Sequence, residues 1–532
     1  MLDKDNLASI SPNVVFTDAK VADAYMVNVA AASLPDWPVG ESVWCDETQN
    51  PEGSIVAYGE EIDAIGVPSW NSSYNLMRKI NVFLEEMEGS PIDTDVKDKL
   101  MGQAYFWRAY NYFIMIRAYG GVPYLKKPQS LTDDLFVERN KTSECFDYIV
   151  EDLDQAIGLL PDKYTGDEAG KVDKAAAYAF KGRVLLFRAS PQFNPQNNAT
   201  LWNAATTANQ EAYTWLINKG YALYPDFSGF WFDELNSEVI FATRYNDPEK
   251  VSGRARQCRP VSEIIGAPGS TQPTQELIEA FPMEDGKPIN NHPAYSLDTY
   301  TENRDPRFYA TVVNNGDIWP LSGVADRIQY TYVGYDPDGY GAQWGTKTGY
   351  FCRKAVEPAV EKELAGYDET DWVEIRLAEV MLNYAETANM TGDQTTAYTM
   401  LKAIRSRAGI LPGSDGLFGL KSNMTQTEML NAIMLERQIE LAFEGKRFWD
   451  LRRLRWLQDF NGKSRHGLRV TPKDNNDLLQ GFTYEVIELD NQQKLHYPEG
   501  YYFFPIPENE LRNNPNLKQT DGWYEGGFDP LQ

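Results

Sequence analysis

Three glutamates, Glu436, Glu440 and Glu444, recur every four residues, a spacing that sets their carboxylates on one face of a helix. Paired carboxylates of this kind are what a glycosidase uses, one as acid and the other as nucleophile or base. The same face is flanked by Arg437, Arg447, Arg452 and Arg453, at spacings that let those carboxylates form ion pairs. Upstream, Arg108 and Arg117 interrupt an otherwise apolar helix and need acidic partners, because a buried guanidinium must be paired. The pattern favours a structural ion-pair network of Arg108, Arg117, Glu436, Glu440, Glu444 and Arg447 over a catalytic dyad, and no catalytic residue is assigned.

The scarce residues exclude other chemistries. The histidines, His292, His466 and His496, stand far apart, and none has a second metal-ligand type at zinc-site spacing. A metal centre and a His-based triad are both unsupported, and nothing calls for a cofactor. Cys45, Cys145, Cys258 and Cys352 lie about a hundred residues apart without a Cys-x-x-Cys. They read best as independent buried thiols, although an even count permits disulfides.

Aromatic side chains in loop text are the better binding candidates. Trp, Tyr and Phe make up 13% of the chain. Flat rings offer faces on which the C–H side of a sugar can stack, with nearby Asp, Asn and Arg supplying hydrogen bonds. Six such rings stand outside helical periodicity: Trp44, Tyr295, Trp319, Tyr335, Tyr340 and Trp344. Trp70 shares a helical face with Tyr74 and Met77 and reads as scaffold.

The elements that must carry these residues are mostly helical. Trp70 to Met87 and Asp98 to Tyr119 read as long helices, the second apolar nearly all round and hence buried. It leaves through Gly120-Gly121-Val122-Pro123, a plain helix stop. Lys174 to Ala189 and Trp202 to Lys219 form another pair. From Tyr221 to Thr370, Gly, Pro, Asp and Asn break the text into short segments, with strands expected at Glu238 to Thr243 and Arg327 to Val333. Helix returns at Asp371 to Asn389, Thr395 to Ala408 and Thr427 to Leu457, and the last stretch reads as irregular. Met381, Tyr384, Ala385 and Ala388, then Ala397, Leu401 and Ile404 beyond a turn at Gly392-Asp393, follow the small-and-apolar spacing of a tetratricopeptide helix pair. Gly409 stands where the proline of that repeat would fall. An ordinary helical hairpin with an alanine seam fits the same residues.

Size and charge bound the rest. With 532 residues, 42% of them hydrophobic, the chain can bury a substantial core. A formal net charge of -27 disfavours nucleic acid, whose binding rests on Lys and Arg. No apolar run reaches the ~18 residues that span a bilayer. The opening Met1-Leu-Asp-Lys-Asp5 has neither the charged nor the apolar region of a signal peptide. Either the protein is cytosolic or the sequence begins after a removed export segment.

Five strings make a specific resemblance. Ala104 to Tyr124 (AYFWRAYNYFIMIRAYGGVPY), Arg183 to Pro195 (RVLLFRASPQFNP), Asn303 to Thr311 (NRDPRFYAT), Leu435 to Leu454 (LERQIELAFEGKRFWDLRRL) and Phe504 to Leu517 (FPIPENELRNNPNL) occur in this order along nearly the whole chain. Together they resemble the SusD/RagB family. The resemblance implies a mainly α fold, an array of tetratricopeptide-like helix pairs with an irregular, loop-rich region containing short strands. The whole chain, 1–532, is then expected to be a single SusD-like unit, made of an N-terminal helical scaffold (1–220), a loop-rich insertion with short strands (221–370), C-terminal tetratricopeptide-like helices (371–460) and an irregular tail (461–532). The resemblance also implies a non-catalytic surface lipoprotein of the outer membrane, held by an N-terminal lipid anchor that this sequence does not contain. Its expected partners are an oligosaccharide or polysaccharide and a SusC-like TonB-dependent transporter. Capture of peptide or another nutrient on the same scaffold, and a helical glycoside hydrolase, are the competing functions. Glycan contacts in this family lie in variable loops, so none is carried over by motif.

Overall fold

Buried arginines and capped helix ends explain much of how this chain is laid out. The computed structural model describes residues 15–49, 56–59, 70–130, 132–266, 269, 271–491 and 493–532. These form two compact units that interleave along the sequence. The first comprises Met1–Leu34, Gly66–Arg188 and Glu499–Gln532, the second Pro35–Ile65 and Ala189–Pro498. The expected boundaries at 220, 370 and 460 do not follow these units. Chain that is distant in sequence, such as the last 34 residues, packs with the N-terminal helices instead.

The first unit holds α1 (Ala19–Ser33), α2 (Trp70–Glu88), α3 (Thr94–Tyr119), α4 (Thr142–Leu159) and all but the last residue of α5 (Lys174–Ala189). Asp93 starts α3 by accepting from the Asp95 N–H at 3.0 Å, and Gly120 ends it with φ +74°. Gly121 is needed for a different reason: a Cβ there would sit 2.0 Å from the Asn140 carbonyl oxygen. As its sequence suggests, α3 is buried on nearly every face, and α1, α2 and α4 pack around it. Arg108 crosses from α3 to α4 to form a two-pronged pair with Asp152, at 2.8 Å from Nε and 2.6 Å from Nη2.

In the second unit, α6 (Ala199–Asn218) precedes β1 (Val239–Thr243), which pairs antiparallel with β2 (Trp372–Arg376). The helix expected from Asp371 therefore starts later, as α7 (Leu377–Met390). Trp372-Val-Glu-Ile-Arg376 is rich in β-branched and aromatic side chains, all five of its residues are buried, and a strand seats them on the pleat. Helix α7 forms a hairpin with α8 (Gln394–Arg407) and also packs on α6 and α9 (Gln426–Glu440). The single helix expected over Thr427 to Leu457 is split between α9 and α10 (Arg447–Arg453). Phe443 and Gly445 between them take φ +61° and +64°, and a Cβ on Gly445 would stand 2.5 Å from Pro38. Of the expected strand Arg327 to Val333 only Ile328–Gln329 forms. Conversely, the tail expected to be irregular supplies the longest hairpin among the described residues, β3 (His466–Pro472) against β4 (Phe482–Glu488). The core of this unit gathers Leu277, Phe308, Trp319, Tyr350, Phe443 and Leu468.

All four cysteines are buried and free. The Arg254 guanidinium lies 3.2 Å from the Cys352 sulfur, and burial pushes the Cys258 thiol up. Among the described residues no helix is long and apolar enough to cross a membrane.

Candidate functional site

The carboxylate row is the first candidate, and its geometry assigns it to the scaffold. Glu436, Glu440 and Glu444 are buried, and each is ringed by cations. Glu436 meets Arg307 and Arg405, both at 2.7 Å. Glu440 meets Arg307 at 2.8 Å, Arg376 at 2.7 Å, and Arg407. Glu444 meets Arg376 and Lys354, each at 2.7 Å. Glu238, at the foot of β1, closes the cluster by accepting from Arg376 and Arg407 at 2.7 and 2.8 Å. Burial pushes these glutamates up, but Arg307 and Arg405 on Glu436, Arg407 and Arg376 on Glu440, and Arg376 and Lys354 on Glu444 hold all three below the usual carboxylate range. A glycosidase acid needs the opposite, a carboxyl kept protonated near neutrality. The cluster therefore ties helices and strands together and offers no acid to a substrate.

The cations are not the ones that helical spacing suggested. Arg447 pairs with Asp46 at 2.8 and 3.0 Å, Arg437 with Asp450 at 2.7 Å, and Arg453 with Glu386 and Asp450. Arg108 is committed to Asp152, and Arg117 lies half-buried on α3 with its guanidinium 6.0 Å from the Phe113 ring centre. The true partners, Arg307, Lys354, Arg376, Arg405 and Arg407, come from positions up to 133 residues away (307 against 440). Arg307 belongs to the NRDPRFYAT string, where Asp305 caps the short helix Pro306–Thr311 and also grips the guanidinium at 2.8 Å.

The aromatic candidates separate by burial. Trp319 is only 1% exposed and packs in the core of the second unit, so it presents no face to a ligand. Its loop text misleads because flanking Pro and Gly set the backbone turn while the indole points inward. Trp44 packs edge-on against Phe448 at 5.2 Å and closes over Gly40. Tyr295 leans on the same core as Trp319, with the Arg304 guanidinium 5.7 Å from its ring centre. These three are packing residues first.

Tyr335, Tyr340 and Trp344 share one surface loop. Trp344 is 51% exposed. Tyr335 belongs to a triangle of rings with Tyr330 and Tyr332, whose centres lie 5.3 to 5.5 Å apart, and Phe482 of β4 extends it at 5.5 Å from Tyr332. The Arg469 guanidinium of β3 stands 5.5 Å from the Tyr340 ring centre. Tyr330, Tyr332, Arg469 and Phe482 were not anticipated. The alternation Tyr330-Thr331-Tyr332, with Thr331 buried, was the available signal, since period two puts both rings on one face.

The loop is pinned from beneath. Asp338, 1% exposed, accepts from the Ser262 N–H at 3.0 Å, the Ser262 hydroxyl at 2.6 Å and the Gln329 amide at 3.3 Å. The Tyr340 N–H donates to the Thr331 carbonyl at 3.0 Å, and Thr346 N–H to that of Asp338 at 2.9 Å. Gly345 passes so close to Gly339 that a Cβ would lie 2.0 Å from its carbonyl oxygen. The loop backbone is thus held before any ligand arrives, which lowers the ordering cost of binding. Among the described residues no cluster of three or more His, Cys, Asp or Glu could hold a metal ion.

Comparison with known proteins places the chain. A family model described as the SusD family matches residues 237–523, and a second, described as starch-binding associating with outer membrane, matches residues 40–186. SusD-like protein P2 of Formosa agariphila is 24% identical over 469 residues, covering 86% of this chain and 80% of that protein. A SusD-like protein from Bacteroides fragilis superposes with a TM-score of 0.80 at 27% identity, covering 98% of this chain and 100% of the other. A SusD-like carbohydrate binding protein, also from Bacteroides fragilis, gives 0.77 at 21% identity, covering 95% and 100%. The first family model spans more than half of the sequence, and the pinned NRDPRFYAT arginine and the buried LERQIELAFEGKRFWDLRRL glutamates lie within it. The chain belongs to the SusD family.

Proposed function

We propose that this protein captures an oligosaccharide or polysaccharide on the aromatic loop 330–344 and passes it, without cleaving it, to a SusC-like TonB-dependent transporter. The reading is carried by the loop itself: it holds an exposed Trp344 and a tyrosine triangle, and the buried Asp338 anchors its backbone. Sugars stack their C–H faces on such rings, and Arg469 and Glu485, paired at 2.9 Å on the neighbouring strands, are placed to hydrogen-bond hydroxyls. Family membership and the carbohydrate-binding description of one structural neighbour support the ligand class. The outer-membrane wording of the second family model supports a place at the cell surface, where a lipid anchor would hold the protein beside its transporter.

Calorimetric titration of the full chain against plant, host and microbial polysaccharides tests the reading, with reducing ends assayed in parallel. Binding of at least one glycan, weakened about tenfold in the Tyr335→Ala/Trp344→Ala double variant and accompanied by no new reducing ends, is expected. Release of reducing ends, or binding of a peptide pool while every glycan stays blank, would overturn it.

A further inference from the structure

The first unit contains a cavity of about 700 Å³ lined wholly by that unit's own residues. Its size falls within the ~300–1,000 Å³ typical of ligand sites. One wall is aromatic: Trp70 and Tyr74 of α2, with ring centres 5.1 Å apart, face Phe136, which is 50% exposed. The opposing loop is built rather than loose. Arg78 donates to the Gln129 carbonyl at 2.7 Å, Asn514 to that of Val137 at 2.8 Å, and Asn516 to that of Phe136 at 2.5 Å. The Tyr74 hydroxyl donates to the Pro123 carbonyl at 2.8 Å, which fixes the ring.

The polar lining narrows the ligand class. Asn75 and Asn513 carry exposed carboxamides that engage no described residue, and Glu510 also lines the cavity. Carboxamides donate and accept at once, which suits vicinal hydroxyls. Three acids, Asp133, Asp134 and Glu510, are nearly balanced by Arg78 and Lys127, so the cavity selects against strongly charged ligands despite the chain's net charge of -27. Among the described residues no strand lines it, so an extended peptide would find no backbone ladder there.

We infer that this cavity is a second carbohydrate-binding site, taking a short neutral oligosaccharide stacked on Phe136 and Tyr74 with its hydroxyls on Asn75 and Asn513. The site stands apart from the reading of the loop 330–344 and survives or fails separately. The test uses the full chain carrying Tyr335→Ala/Trp344→Ala, titrated with maltohexaose, laminarihexaose, cellohexaose and xylohexaose. Binding of at least one hexasaccharide is expected to persist and to weaken about tenfold when Phe136→Ala is added. Asn75→Ala, at an exposed position, should weaken it several-fold and leave the unfolding midpoint in place. The inference is overturned if no hexasaccharide binds the loop variant, if Phe136→Ala and Asn75→Ala leave the isotherms unchanged, or if the cavity variants lose a peptide ligand instead. Failure of the loop reading looks different: the loop variant would then titrate like the unaltered protein.

Discussion

The glutamate cluster and the aromatic loop lie in the same unit and both carry residue types associated with carbohydrate enzymes and binders, yet they do opposite work. Around Glu440, five carboxylates and five cations are removed from water and satisfy one another. At 330–344 the backbone is satisfied underneath while Trp344 stays exposed and Tyr330, Tyr335 and Tyr340 stay half-exposed. Burying charge is expensive unless every member is paired, so the cluster is a structural commitment that leaves nothing over for a ligand. Aromatic rings cost little to expose singly, and a pinned exposed group of them is what a sugar can use.

The comparison breaks most sharply at Glu440. Replacing it with Ala leaves Arg307, Arg376 and Arg407 short of a buried partner, and a loss of ~3–5 kcal/mol is expected in denaturant unfolding. A catalytic Glu440 would instead give a stable, inactive protein. The two tryptophans give the next contrast. Trp319→Ala should cost ~3–5 kcal/mol through the cavity it leaves, whereas Trp344→Ala should shift stability by less than ~0.5 kcal/mol and act on glycan affinity alone. Asp338→Ala should fall between them, costing ~1–3 kcal/mol as the Ser262 and Gln329 donors lose their acceptor, and it should weaken glycan binding although Asp338 touches no ligand.

Acid titrates the same difference gradually. Because Arg and Lys hold Glu436, Glu440 and Glu444 below their ordinary range, their stabilisation is full above the unfolded value of ~4.3 and is lost as pH falls through the folded values. Glu47, pushed up to about 7 by burial, runs the other way: its contribution is full below ~4.3 and lost as pH rises through its folded value. Unfolding midpoints measured across pH should therefore fall steeply in acid and soften gently towards neutrality. Glycan affinity at the loop, which rests on tyrosine and tryptophan rings, should stay flat from about pH 5 to about pH 8.

Local signals fixed the elements that are locally decided. The apolar periodicity of α3, its stop at Gly120 and the alanine seam of the α7–α8 hairpin were readable along the chain, whereas the start of α3 at the Asp93 cap lies ahead of the expected Asp98. The strand β2 was missed because its partner β1 lies 133 residues upstream (239 against 372), and only pairing across that gap makes Trp372–Arg376 extended. The break between α9 and α10 was missed for a similar reason: Gly445 reads as tolerable in a helix until Pro38 is packed against it. For the site, composition pointed to loop aromatics, but exposure is a property of the neighbours and not of the loop, which is why Trp319 and Trp344 look alike in text and differ in place.

By itself, then, the sequence determined that this is an acidic, helix-rich chain of the SusD family, with glutamates that need cations and rings placed in loops. Tertiary structure alone decided which cations answered and which rings stayed outside. Helical spacing offered Glu440 the arginines nearest in sequence, but desolvation charges so much for an unpaired ion that the fold brought Arg307, Arg376 and Arg407 from three other segments instead. Trp344 was left at the surface because Asp338, buried six residues earlier, holds the loop beneath it.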